Sequence, residues 1–285
     1  MTIYDCGMPR DPLVHFPAYR HHERARQQAN DGMMALLVGA KISAQFLGLS
    51  RGSSKLISEI FPAIQHVERL KLKPDDSQRI LAQPEELLGA MAVPYTLAIH
   101  EAFILDCLKL AGVPKTPKAW VMHATLAGHA GGTFNPGSIT QYHVLREMRN
   151  AVIHRGGLVD HRLVDVIADL IQGAESNWKK HAGRSPRGIS SGDTVTLTLG
   201  ELVMALATTK VLAREANQML ATTLSTTQWA EIIVDDFLEQ STGKLLNPSQ
   251  RRRGILGHRQ FYYSATAVSD AELEAVAAAR RAPIT

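Results

Sequence analysis

Apolar residues recur at helical spacing along nearly the whole of this chain, and only one run, 194–199, alternates as a strand does. That imbalance restricts the fold more than any composition figure. A helix hides its apolar stripe by packing on other helices, so an all-α helical bundle is expected, with a minor β-hairpin or strand near 189–199. In the alternating run Val195, Leu197 and Leu199 interleave with Thr194, Thr196 and Thr198. One short strand cannot stand alone, so pairing with residues near Ile189, or across a dimer, is expected.

Local signals mark the helix ends. The spacing predicts a helix over 19–47, polar first and apolar later, ended by Gly48 and a loop over 50–54. A second starts from Ser53 or Ser54 and runs to 70, with Ile57, Ile60, Phe61 and Ile64 on one face and a kink at Pro62. The charged stretch 71–89 reads as a linker with a short helix. A stronger helix is expected over 95–110, stopped by Gly112 and Pro114, and Thr116-Pro117 reads as the start of a short helix over 120–126. Ser138 and Gln141 fit a capping box, and Gly156-Gly157 a left-handed C-cap. Between them Val144, Leu145, Met148, Ala151 and Val152 form one apolar face. Further helices are expected over 163–171, over 202–220 behind a Thr198–Glu201 capping box, from Ser225 through Phe237, and after Ser269 with Glu272. The expected organisation is an N-terminal helical extension (1–92), a helical core (93–222) and a C-terminal helical and basic extension (223–285).

With 285 residues, 45% of them hydrophobic, the chain can bury a substantial core. Its 31 Lys and Arg against 27 Asp and Glu leave +4, which tolerates an anionic partner without demanding one. Cys6 and Cys107 are far apart and form no disulfide framework, which fits a reducing compartment. The N-terminus is polar and carries Pro9, Pro12 and Pro17, unlike a signal peptide. The apolar stretch 33–49 is broken by Lys41 and is shorter than a bilayer span. A soluble, cytoplasmic protein without a membrane role is expected.

The segment richest in chemistry is Arg146-Glu147-Met148-Arg149-Asn150-Ala151-Val152-Ile153-His154-Arg155-Gly156-Gly157. Arginine is a permanently charged phosphate ligand, and histidine is the side chain that titrates near neutral pH. Spaced by four, Arg146, Asn150 and His154 form a stripe, with Arg149 at its border and about 140° around the helix from His154. One such helix makes a poor pocket; two copies across a two-fold axis can face each other's Arg149 and His154 over a shared groove. The same residues also have a plain structural reading. His154 suits the last turn of a helix, and Arg149 can pair with Glu101 or Asp106 of a neighbouring helix.

Other constellations carry less. His123 and His129 read as loop histidines with no carboxylate or cysteine at ligand spacing, so no metal is expected. Arg251, Arg252, Arg253, Arg259 and Tyr262 interleave cations with aromatics, either as an RNA-contacting surface or as a tail packed on the bundle. No phosphate-cradling glycine loop, nucleophile triad or nucleotide fingerprint is visible, and no cofactor is expected.

The stretch from Leu145 to His154 resembles the signature of the HEPN superfamily: an arginine, four to six residues, then a histidine, with a polar residue commonly after the arginine. Here these are Arg149, His154 and Asn150. The preceding helix, with Glu101 and Asp106, looks like the acidic helix beside the motif in many members, including a ribonuclease-L-type branch. The likeness spans roughly 93–220. It implies a dimerising helical bundle, often a metal-independent endoribonuclease of toxin–antitoxin, antiviral defence or CRISPR systems, with RNA as substrate and an antitoxin or regulatory protein as a further partner. It casts His154 as general acid and base, Arg149 as phosphate ligand, and Asn150, Arg146 and Glu101 in support. Members silenced by a nucleotidyltransferase often carry a tyrosine two residues after the histidine; Gly156 stands there instead. The rival expectations are a catalytically inactive module that binds RNA or protein through the same helix, and a purely structural helical protein.

Overall fold

Twelve α-helices and no strand make up the described residues of the computed structural model, which are 13–64, 69, 71–241 and 247–280. Cys6, Pro9, Pro12 and the expected helix end at Leu70 lie outside them. The helices are α1 (Pro17–Leu47), α2 (Ile57–Ile60), α3 (Pro74–Ala82), α4 (Glu85–Leu110), α5 (Met122–Ala130), α6 (Pro136–Arg155), α7 (His161–Ala168), α8 (Gln172–Ala182), α9 (Leu199–Thr223), α10 (Thr226–Gln240), α11 (Pro248–Tyr262) and α12 (Asp270–Ala279). Where a capping box stands in the sequence, the helix mostly starts on it. Ser225 and Gln228 cap α10, Ser269 and Glu272 cap α12, and the Glu201 carboxylate reaches back to the Thr198 amide at 2.9 Å before α9.

Several expected elements shift. The second helix shrinks to the four residues of α2 and stops at Phe61, before Pro62, which has no N–H to continue it. Conversely, α4 begins ten residues before 95 and runs straight through Pro94. Ala92, Val93 and Leu97 around that proline are fully buried, and their burial offsets the lost hydrogen bond. Thr116-Pro117 starts no helix; α5 begins at Met122. A further helix, α8, lies between the helices expected over 163–171 and 202–220. The basic stretch 251–262 is helical as α11, capped by Asn247 and Gln250 with Pro248 at its first position.

The expected strand is also absent. Val195 and Leu197 are buried and Thr194 is exposed, so the alternation places side chains as a strand would. The partner, however, is the segment after α6 and not the region of Ile189. The Val195 amide donates to the Gly157 carbonyl at 2.8 Å, the Val159 amide donates to Asp193, and one antiparallel bridge joins Leu158 to Thr194. A Cβ at Gly89 of α4 would fall 2.4 Å from the Leu197 carbonyl oxygen, so a helix closely flanks the run and a ladder does not extend it.

The chain forms two compact units: Met1–Arg24 with Ile99–Asn135 and Lys210–Thr285, and Ala25–Ala98 with Pro136–Thr209. In the first, Phe16 packs on Phe103 and Trp229, and α10 lies against α11 and α12. Its polar centre is Asp236, 4% exposed, which accepts from Arg20 through two bonds of 2.9 and 2.7 Å, from Tyr263 at 2.5 Å and from Gln240 at 2.9 Å, and bonds His258 at 2.8 Å. Burial opposes the Asp236 charge. The hydrogen bonds from His258, Arg20 and Tyr263 outweigh it and hold the carboxyl well below the usual range. Burial and the same carboxylate push the Tyr263 hydroxyl far up.

In the second unit α6 packs on α7 and α8, with Trp178 fully buried. The buried Gln141 of α6 donates to the Ala174 carbonyl at 2.9 Å and accepts from Thr208 at 3.3 Å. Two helical runs, Pro17–Ser50 and Glu85–Leu110, are long and apolar enough to cross a bilayer by length and composition, more than the stretch 33–49 alone led us to expect. Half of the apolar window of the second run is buried, against 11% in the first.

Candidate functional site

Helix α6 is fixed at both ends by chemistry visible in the sequence, although its start is not the expected one. Pro136 occupies the first position, and Ser138 lies inside the helix. At the other end Gly156 and Gly157 take φ of +60° and +89°, and the Gly157 amide bonds back six residues to the Ala151 carbonyl at 2.9 Å. Gly157 is held by more than its dihedral, since an added Cβ would meet the Val195 carbonyl oxygen at 2.8 Å. The extended run 194–197 therefore braces the end of the helix that carries His154.

One face of α6 is buried through Tyr142, Val144, Leu145, Met148 and Ala151. Glu147 is buried as well, at 6% exposure, and it organises the polar stripe. Its Oε1 pairs with the Arg146 guanidinium at 2.7 Å, and its Oε2 accepts from the Asn150 amide at 3.3 Å. Arg146, Arg149 and Asn150 are half-buried, whereas His154 is exposed and makes no hydrogen bond or ion pair among the described residues. About three turns before His154, burial is the main influence that lowers the His143 imidazole; the Arg146 charge adds to it and Glu147 opposes it. Arg155, next to His154, is tied to Asp160 at 2.9 Å.

Arg146, Arg149, Asn150 and His154 thus share one helix in the unit that holds α6. Glu101 lies on α4 in the stretch that belongs to the other unit, half-buried, and neither it nor Arg149 is without a partner. The C-terminal basic residues lie on α11, also in that other unit. There Arg252 pairs with Glu274 at 2.6 Å, Arg259 with Asp270 at 3.2 Å and the Val268 carbonyl at 2.7 Å, and the Arg20 guanidinium stacks 4.5 Å above Tyr262. Arg253 is exposed and Arg251 half-buried.

Three features escaped the sequence reading. Glu147 stands inside the motif, yet its sequence gives no sign that it is buried. The Asp236 cluster joins residues up to 216 apart, and no local spacing reports it. His123 is a buried residue of α5 and not a loop histidine; its Nε2 lies 2.9 Å from that of His100, with the His22 ring beside them. Burial, reinforced by His123 and His22, holds His100 well below its ordinary value. Among the described residues no group of three or more His, Cys, Asp or Glu side chains is placed to hold a metal ion.

What α6 offers is an exposed imidazole, a guanidinium about one turn away, and a polar stripe held in place by a buried carboxylate. Imidazole can move protons, and guanidinium can neutralise a pentacoordinate phosphate. No family model, no curated protein and no solved structure matches this chain.

Proposed function

We propose that this chain is a HEPN-type endoribonuclease that acts in the cytoplasm as a homodimer on RNA, with Arg149 and His154 of two copies facing one groove. The observation that carries this reading is the exposed His154 in the last turn of α6, with Arg149 and Asn150 about one turn below on the same helix. In the reaction the ribose 2′-oxygen attacks the adjacent phosphorus and the bond to the 5′-oxygen breaks. Imidazole takes the 2′-hydroxyl proton and imidazolium returns one to the leaving oxygen, so the products are a 2′,3′-cyclic phosphate and a 5′-hydroxyl. Arg149 compensates the charge that builds on phosphorus, Asn150 and Arg146 flank the substrate, and none of these steps calls on a metal. A toxin–antitoxin or defence role, with an antitoxin as partner, follows from the resemblance alone.

A second reading is RNA or protein binding without cleavage. One observation favours it: Glu147 already holds the donors of Arg146 and Asn150, so these side chains serve a carboxylate before they meet any phosphate.

RNA cleavage in EDTA separates the two. The wild type leaves cyclic phosphate ends, His154→Ala lowers the rate by about 10²–10⁴-fold, and Arg149→Ala lowers it by about 10²–10³-fold. Absence of cleavage on varied RNAs, with binding kept by all three proteins, moves the function to the binding reading.

A further inference from the structure

The second half of α1 has a face that the described chain leaves largely open, with the Phe61 ring 6.4 Å from that of Phe46. Gly32, Gly39 and Phe46 follow one another at intervals of seven, as do Ala35, Ile42 and Leu49, which stands just past the helix end; all six are exposed. Two such rows, three residues apart, are the a and d rows of a helix-pairing seam. The face is strongly apolar: Ile42 and Phe46 are each 60% exposed and Leu49 82%. The one charge between Met33 and Leu49 is Lys41, which lies about 100° around the helix from Ile42 and about 160° from Gly39, paired with Glu85 at 2.8 Å and bonded to the Ala82 carbonyl. The opposite side of α1 is therefore the anchored one.

The order of sizes along the seam identifies its occupant. The first half is small (Gly32, Ala35, Gly39) and the second half is large (Ile42, Phe46, Leu49). Glycine is unfavourable inside a helix, and a Cβ added at Gly32 or Gly39 would meet nothing within 4 Å in this chain, so the intramolecular packing gives no reason for either. An antiparallel copy of the same helix supplies one. Across a two-fold axis near residue 40, the large end of each copy lies on the small end of the other, and the glycines let the backbones approach. With Leu36 and Val38 at the flanks, this face offers roughly 600–800 Å² per copy, close to the ~800 Å² that each partner of a standard interface buries. Monomers seldom expose apolar patches of that size.

We infer that α1 is a self-association surface, and that two copies of this chain pair antiparallel through Gly32, Ala35, Gly39, Ile42, Phe46 and Leu49. The pairing does not rest on the ribonuclease reading and survives its failure.

Sedimentation of the full chain tests it. Wild type at micromolar concentration runs as a dimer, and Phe46→Asp raises the dissociation constant about 30-fold or more, with circular dichroism unchanged because the side chain is exposed. Gly39→Leu gives a second, opposed pair of readouts: it fills the small end and weakens the dimer, while removal of a helix glycine raises the melting temperature of the monomer. His154→Ala and Arg149→Ala leave the association unchanged. A monomeric wild type, or a dimer indifferent to both seam variants, overturns the inference. So does a monomer that binds phosphatidylcholine–phosphatidylglycerol vesicles through Phe46, which would make the face a lipid-docking one.

Discussion

Two arginine–carboxylate clusters, one in each compact unit, differ in what they leave open. Around Asp236 both carboxylate oxygens are taken: Arg20 forks onto them, Tyr263 and His258 share Oδ2, and Gln240 adds to Oδ1. Arg20 also donates to the His15 carbonyl and stacks on Tyr262. Around Glu147 the carboxylate is buried in the same manner, but its donors, Arg146 and Asn150, are only half-buried, and the stripe they form ends in the exposed His154. A polar cluster whose members answer only to one another stabilises the fold. One that ends at an exposed titratable group can act on something else. Residue type does not separate the two, since each combines arginine, carboxylate and histidine.

The largest effect that sharpens this contrast is on stability. Asp236→Ala leaves Arg20 largely buried opposite no charge, and urea unfolding should register a loss of about 3–5 kcal/mol. The same cluster gives an acid limb. The folded carboxyl lies below its unfolded value of about 4, so its contribution is complete above that pH and is lost as pH falls toward the folded value. The wild-type melting temperature should therefore drop below about pH 4, and Asp236→Asn should flatten that drop. If the acid limb of the variant matches that of the wild type, the stabilising role of the cluster is refuted.

Glu147→Gln comes next, with an expected cost of about 1–2 kcal/mol, because Arg146 loses its charged acceptor while a neutral one remains. Its more informative consequence is in the site. With the donors of Arg146 and Asn150 less firmly held, RNA affinity should rise or stay level while stability falls. A fall in both would make Glu147 part of the binding surface and close the gap between the clusters. The smallest effect belongs to Arg252→Ala on α11, whose exposed pair with Glu274 should contribute no more than about 1 kcal/mol by thermal melting. A strong loss of RNA binding there would shift weight from α6 to the C-terminal basic helix.

Some of this was legible residue by residue. Ser225 with Gln228, Ser269 with Glu272 and Thr198 with Glu201 announced three helix starts, because a cap is a contract between neighbours three apart. Gly156-Gly157 announced the end of α6 for the same reason, and the stripe of Arg146, Asn150 and His154 followed from helical geometry. Asn247-Pro248-Ser249-Gln250 carried an equally good start signal for α11, masked to the eye by the arginines behind it.

The all-α character, the motif helix and its polar stripe were thus determined by the sequence by itself, since they depend on periods and caps that span a few residues. The tertiary structure alone decided that Glu147 is buried among its donors, that Asp236 gathers Arg20, His258 and Tyr263, and that α4 continues through Pro94. It also decided that the run 194–199 braces Gly157 in place of forming a hairpin. Each of these is set by burial and by partners distant in the chain, and a local pattern says which face is apolar but not what will come to lie against it.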